Sequence, residues 1–140
     1  MSAGRVVLVT GASNGIGYET VKAFLKSPNP YYVYLGSRSL EKGKAVLEQI
    51  HAECPDTTNA VELIQIDLGS DESIERTAFE VVKNGQGRLD VLINNAGGGF
   101  DLDFMQGKMS LRESFNKSYD LNVSGTNVVT WTFVPLLLKF

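Results

Sequence analysis

The chain has a single cysteine (Cys54), a single histidine (His51), a single tryptophan (Trp131) and four prolines in 140 residues. A lone cysteine cannot close an intrachain disulfide, so a reducing, cytoplasmic setting is the expectation. One histidine and one cysteine are too little material for a metal centre or a Cys–His nucleophile, and no metal site is expected. There is no run of Lys or Arg, and a formal net charge of -3 with a pI near 5.1 argues against nucleic acid or an anionic membrane as partner. No apolar run approaches the roughly 20 residues of a membrane-spanning helix. The start, Met-Ser-Ala-Gly-Arg, has no signal-peptide anatomy. Internal repeats, low-complexity tracts and linkers are also missing.

What is present is ordinary for a chain that buries a core: 43% hydrophobic and 21% charged residues, which fit a single domain over 1–140. Apolar strand patterns alternate with helical ones. Arg5–Thr10 predicts a first strand and Ile16–Lys26 a helix, ended by Ser27-Pro28-Asn29-Pro30. Tyr31–Gly36 predicts a second strand, and Ser39 caps a helix running to about Glu53. Val61–Ile66 is the third strand, followed by a helix capped by Ser70, running to about Asn84 and stopped by Gly85-Gln86-Gly87. Leu89–Asn94 is the fourth, leading into a Gly-rich loop from Gly97 to Gly107. From Met109 one long helix is expected, with Leu111, Phe115, Tyr119, Asn122, Thr126, Val129, Phe133 and Leu137 on one stripe and a kink at Pro135. Such alternation demands parallel pairing with right-handed crossovers, hence an α/β, doubly wound parallel sheet in the order 3-2-1-4. Its fourth strand would carry an uncovered edge, as in a fold interrupted partway.

The most informative segment is Thr10-Gly-Ala-Ser-Asn-Gly-Ile-Gly17, directly after the apolar run Val6–Val9. A buried strand breaking into closely spaced glycines and then a helix offers backbone N–H groups to a pyrophosphate. A strict G-x-G-x-x-G is absent, because Thr20 stands at the third step after Gly17. The roles survive: Gly11 for the tight turn, Gly15 for close backbone approach, Gly17 for packing of helix on sheet. No Lys-Ser/Thr follows the glycines, which excludes a Walker A loop. A Gly-rich turn without a ligand is the bland alternative.

Thr10–Gly17 resembles the T-G-x-x-x-G-x-G motif of the short-chain dehydrogenase/reductase family, and three further segments match it in order. Ile66-Asp67-Leu68 looks like the family's step after the third strand, whose Asp contacts the adenine. Asn94-Asn95-Ala96-Gly97 matches its N-N-A-G motif, and Leu121-Asn122-Val123 the helix position whose Asn helps organise a proton relay. The resemblance covers nearly the whole chain but only the cofactor half of that Rossmann fold. It implies that Gly11, Ser13, Asn14, Gly15, Ile16, Gly17, Ser37, Arg38, Asp67, Leu68, Asn94, Ala96 and Gly97 meet the cofactor. Asp67 could instead merely cap the following helix, and Asn94 and Asn95 could be turn-formers.

The end of the second strand reads Gly36-Ser37-Arg38, with no acid to accept a ribose 2′-OH. Arg38 can fork onto a 2′-phosphate and Ser37 can add a donor, so NADP is the expected cofactor. A solvated Arg38 is the alternative. The chain departs from many NADP-preferring relatives in carrying Asn14 where they carry a base.

The resemblance implies hydride transfer between nicotinamide and a small-molecule carbonyl or alcohol, with a Ser and a Tyr-x-x-x-Lys as further catalytic groups. No counterpart is assignable here; Asn122 alone holds a catalytic position, in the relay. Tyr18-Glu-Thr-Val-Lys22 fits the spacing but lies in the first turns after the phosphate loop, and is set aside as a decoy. His51, Glu41 with Lys42, and Glu75 with Arg76 read as solvated helix faces. The expectation is an NADP(H)-dependent oxidoreductase present as a truncated chain. A non-catalytic NADP(H)-binding remnant, or a partner subunit completing another chain, is the competitor, and the C-terminal helix is the expected homo-oligomer contact.

Overall fold

The computed structural model describes residues 4–84 and 87–139. Four parallel strands form one sheet: β1 (Arg5–Val9), β2 (Tyr31–Ser37), β3 (Ala60–Gln65) and β4 (Val91–Ile93), in the order β3-β2-β1-β4. The crossovers are α1 (Gly15–Leu25), α2 (Leu40–Glu53) and α3 (Asp71–Asn84). After β4 come α4 (Asp101–Met105), α5 (Leu111–Tyr119), a π-helical turn (Asp120–Gly125) and α6 (Thr126–Leu137). The fold class and strand order match the sequence expectation. Of the expected helix stop, Gly85 and Gln86 lie outside the described residues, while Gly87 takes a left-handed φ of 72°.

β1 and β2 are buried on both faces, so they read as continuous apolar runs rather than alternating ones. Alternation survives in direction. Val6, Leu8, Tyr34, Ile64 and Ile66 face α3 and α6, where they meet Ile74, Val81, Val129 and Phe133. Val7, Val9, Val33 and Leu35 face α1 and α2, against Val21, Leu25, Ile50 and Cys54. The core thus covers both faces of the sheet, and the loops at the carboxyl ends of its strands share one edge.

The segment after β4 departs from expectation. The expected loop at Gly97–Gly107 contains α4, and the expected continuous helix is broken by the π turn. Ser110 starts α5 with a complete capping box: its hydroxyl accepts from Glu113 N at 3.2 Å, and Glu113 Oε2 accepts from Ser110 N at 2.9 Å. The π turn adds a residue to one turn, so a stripe at constant α spacing falls out of phase across it. Val129 and Phe133 are buried as expected, but α5 turns Ser114 inward and leaves Leu111, Phe115 and Tyr119 exposed, Phe115 by 64%. The turn is also where the helix presses on the chain after β3: a Cβ on Gly125 would lie 2.6 Å from the Leu68 carbonyl oxygen. Pro135 sits in the last turn of α6. Trp131, on the same helix, is 74% exposed. No helix among the described residues is long and apolar enough to cross a membrane.

Candidate functional site

The carboxyl ends of the strands open into a crevice of about 440 Å³, within the usual range for cofactor sites. One wall is the mouth of α1. Asn14 enters the helix extended, with φ -160° and ψ 176°, and its side chain caps nothing; no acid stands in the first turn. The first backbone N–H groups of a helix have no partner within it, and here they face the crevice with the positive end of the helix dipole behind them. An anion is the natural complement.

Two glycines make that mouth possible. Gly11 has φ 62°, and a Cβ there would sit 2.7 Å from Ala96 Cα. A Cβ on Gly17 would sit 2.6 Å from the Gly11 carbonyl oxygen and 2.5 Å from Asn95 Nδ2. Space beside Gly15 is open. The loops are then tied across strands. The buried Thr10 hydroxyl accepts from Asn95 N at 3.1 Å and Ala96 N at 3.0 Å. Asn95 Nδ2 returns bonds to the carbonyls of Thr10 at 3.1 Å and Gly11 at 3.0 Å. Ala12 N donates to the Gly36 carbonyl at 2.8 Å, fixing the glycine loop to the end of β2.

At the end of β2 the crevice is lined by Ser37, Arg38, Ser39 and Lys42. Ser37 is 2% exposed and donates its hydroxyl to the Ser39 carbonyl at 2.8 Å. Gln65 Nε2 donates to the Arg38 carbonyl at 3.2 Å, and Ser39 Oγ accepts from Lys42 N at 3.3 Å. Arg38 and Lys42 are exposed, and among the described residues neither forms an ion pair. Asp67 is the one acid lining the crevice among those residues. Its Oδ1 accepts from Gly69 N at 2.9 Å, while Ser70 Oγ takes the capping bond from Ser73 N at 3.2 Å. The capping role thus belongs to Ser70.

The structure brings Gly11, Ser13, Asn14, Gly15, Ile16, Ser37, Arg38, Asp67, Leu68, Ala96 and Gly97 to one crevice. Three expected site residues lie off its wall. Gly17 sits beneath the loop as the packing contact. Asn94 is exposed, and its Nδ2 donates to Thr130 Oγ1 at 3.0 Å, toward α6. Asn122, inside the π turn, holds the loop after β4: its Oδ1 accepts from Gly98 N at 2.9 Å and its Nδ2 donates to the Gly98 carbonyl at 2.6 Å. Sequence reasoning missed Ser39, Lys42, Ile66 and Leu121 as crevice residues, and reached Asn95 only through the family's N-N-A-G motif, which shapes the floor under the cofactor. Ser39 and Lys42 carried a usable signal, since a helix cap directly after β2 brings its first turn to the same edge.

Tyr18 and Lys22, which match Tyr-x-x-x-Lys by spacing, are engaged elsewhere. Tyr18 donates to Glu53 Oε2 at 2.8 Å, and Lys22 Nζ lies 2.7 Å from the same oxygen. Burial, then the Glu53 bond, pushes the Tyr18 phenol up to about 12. Glu53 is held down to about 2, chiefly by Lys22 and then by Gln49 and Tyr18. An acid/base tyrosine needs its pKa lowered. This cluster fastens α1 to the end of α2.

The family model for short chain dehydrogenases matches residues 5–139. The chain belongs to the short-chain dehydrogenase/reductase family. It is 41% identical over 135 residues to the short-chain dehydrogenase/reductase tropE of Talaromyces stipitatus, covering 96% of this chain and 49% of that one. Against the family member eupG of a Phoma species it is 39% identical, covering 95% and 48%. Among solved structures, a metagenomic short-chain oxidoreductase in complex with NADP superposes with TM-score 0.74 and 28% identity, over 96% of this chain and 57% of that one. The short chain dehydrogenase of Shigella flexneri gives TM-score 0.76 and 28% identity, over 99% and 52%. The chain spans about half the length of the curated relatives it matches.

Proposed function

We propose that this chain binds NADP(H) and that the short-chain dehydrogenase/reductase it represents transfers hydride between that cofactor and a small-molecule carbonyl or alcohol. The observation that carries the reading is one crevice with uncapped helix amides at one wall and, lining it at the end of β2, two cations without an ion-pair partner and no acid among the described residues. The residues fit the group. Amides of the glycine loop and the α1 mouth would hold the pyrophosphate, with Ser13, Asn14 and Ile16 around it. Arg38 would fork onto the 2′-phosphate, and Asp67 and Leu68 would flank the adenine. Ala96 and Gly97 would floor the path toward the nicotinamide, with Asn122 fixing that floor through Gly98.

Bound NADP(H) would supply or accept the hydride. The side chains described above bind and orient; an assignable serine and Tyr-x-x-x-Lys are missing from this sequence, so the 140-residue chain by itself is proposed to bind without turnover. The engagement of Tyr18 and Lys22 with Glu53 favours that reading. The exposed apolar face of α5 suits a homo-oligomer contact.

Calorimetric titration of the purified chain tests the binding. NADPH should bind at least about tenfold tighter than NADH, the equivalent of one charge-assisted contact. Equal affinities, or no heat with either, would sink the proposal. Steady NADPH oxidation with a panel of carbonyls would sink the statement about turnover.

A further inference from the structure

We infer that Lys42, in the first turn of α2, is a second determinant of NADP selectivity, gripping the 2′-phosphate alongside Arg38. The inference rests on the cofactor reading above. The sequence offers Ser37 as Arg38's helper, but the Ser37 hydroxyl is buried and donates to the Ser39 carbonyl at 2.8 Å. Lys42 lines the same end of the crevice, is exposed, and among the described residues has no ion-pair partner.

Its position is poor for folding, which is why it is informative. Two helices of this chain begin with Ser-Leu-x-x: Ser39-Leu-Glu-Lys42 and Ser110-Leu-Arg-Glu113. In α5 the glutamate closes the capping box, with bonds of 3.2 and 2.9 Å. In α2 only the Ser39 half exists, at 3.3 Å, because lysine has no acceptor with which to return the bond. Lysine also sets a positive charge against the positive end of the helix dipole, whereas Glu41 in the same turn complements it. Natural proteins break such local rules chiefly at functional or strained sites. Here the gain is a cation beside Arg38, delivered to an anion by a turn whose backbone is pinned from Gln65 and Ser37.

The test compares Lys42→Gln, Lys42→Glu and Lys44→Gln in the full chain, titrated with NADPH and NADH and melted thermally. Lys44 is exposed on the same helix but does not line the crevice, so its variant controls for net charge. Lys42→Gln should weaken NADPH about five- to tenfold and leave NADH unchanged, while Lys44→Gln moves neither. Lys42→Glu should abolish the preference for NADPH and, by completing the capping box, raise Tm by about 2 °C. Should wild type prefer NADPH while Lys42→Gln leaves it untouched, or weakens both cofactors equally, the assignment of Lys42 falls and the cofactor reading stands. Should wild type show no preference for NADPH, the cofactor reading itself falls and takes the assignment with it.

Discussion

The crevice end of the sheet and the surface made by α4 and α5 solve opposite problems. Around the crevice, Thr10, Asn95, Ala12 and Gly36 tie three strand ends together through side-chain and backbone hydrogen bonds of 2.8 to 3.1 Å, and glycines stand where a methyl group would collide. On α4 and α5, Leu102, Met105, Leu111 and Phe115 stand out into solvent, and the first turn of α5 is closed by its own capping box. One region is over-determined from within; the other is apolar surface that the described residues do not cover. The contrast places geometric fidelity where a pyrophosphate would sit and leaves the α4 and α5 surface open to packing from outside.

The heaviest blow to that contrast should come from Gly17→Ala. Its methyl group would press into the Gly11 carbonyl and the Asn95 amide, costing about 3 kcal/mol in denaturant melts and abolishing NADPH binding. A fully stable variant would show that the loop is softer than its contacts suggest. Thr10→Val comes next. It keeps the shape but strips the acceptor from the amides of Asn95 and Ala96, for a loss of about 2 kcal/mol read from the shift in urea midpoint. Loss of less than about 0.5 kcal/mol would mean that those amides find other partners.

A third variant probes the fastening of α1 to α2 by pH. Glu53 has its pKa depressed from 4.5 to about 2, so its contribution is complete above the higher value and disappears as pH falls through the lower. Wild-type Tm should therefore fall more steeply than that of Glu53→Gln between pH 4.5 and about pH 2, and the two curves should converge below that window. Because the carboxylate is exposed, salt should shrink the difference. Parallel curves would remove the Lys22–Glu53 pair from the account. The mildest change is Phe115→Ser on α5, expected to alter stability by no more than about 0.5 kcal/mol while reducing self-association by ultracentrifugation. A large loss of stability would place Phe115 in a core.

The comparison also explains what could be read from the amino acids alone. The strands, their order, the glycine loop and most of the crevice were legible because each rests on a local pattern: an apolar run, a turn residue, a cap. Asn94 and Asn95 were harder, since both follow β4 directly and only the path of the chain after Ile93 decides which one turns back to β1. It is Asn95, through the carbonyls of Thr10 and Gly11. Lys42 was hidden by its ordinariness, a charged residue on an amphipathic helix, until the position of Ser39 fixed it at the crevice. The π turn left no periodic trace because its extra residue shifts phase without changing composition. A stripe through Leu111 and Phe115 therefore looked inward when it is not.

Trp131 gives α6 its own reporter. It is the sole indole of the chain and stands 74% exposed on α6, so the intrinsic emission of the protein comes from one hydrated ring. Any chain that settles over this side of α6, a second copy included, should shift that emission to the blue and shield it from iodide quenching. Iodide accessibility of that ring should therefore follow assembly, while occupancy of the crevice is read separately by calorimetry.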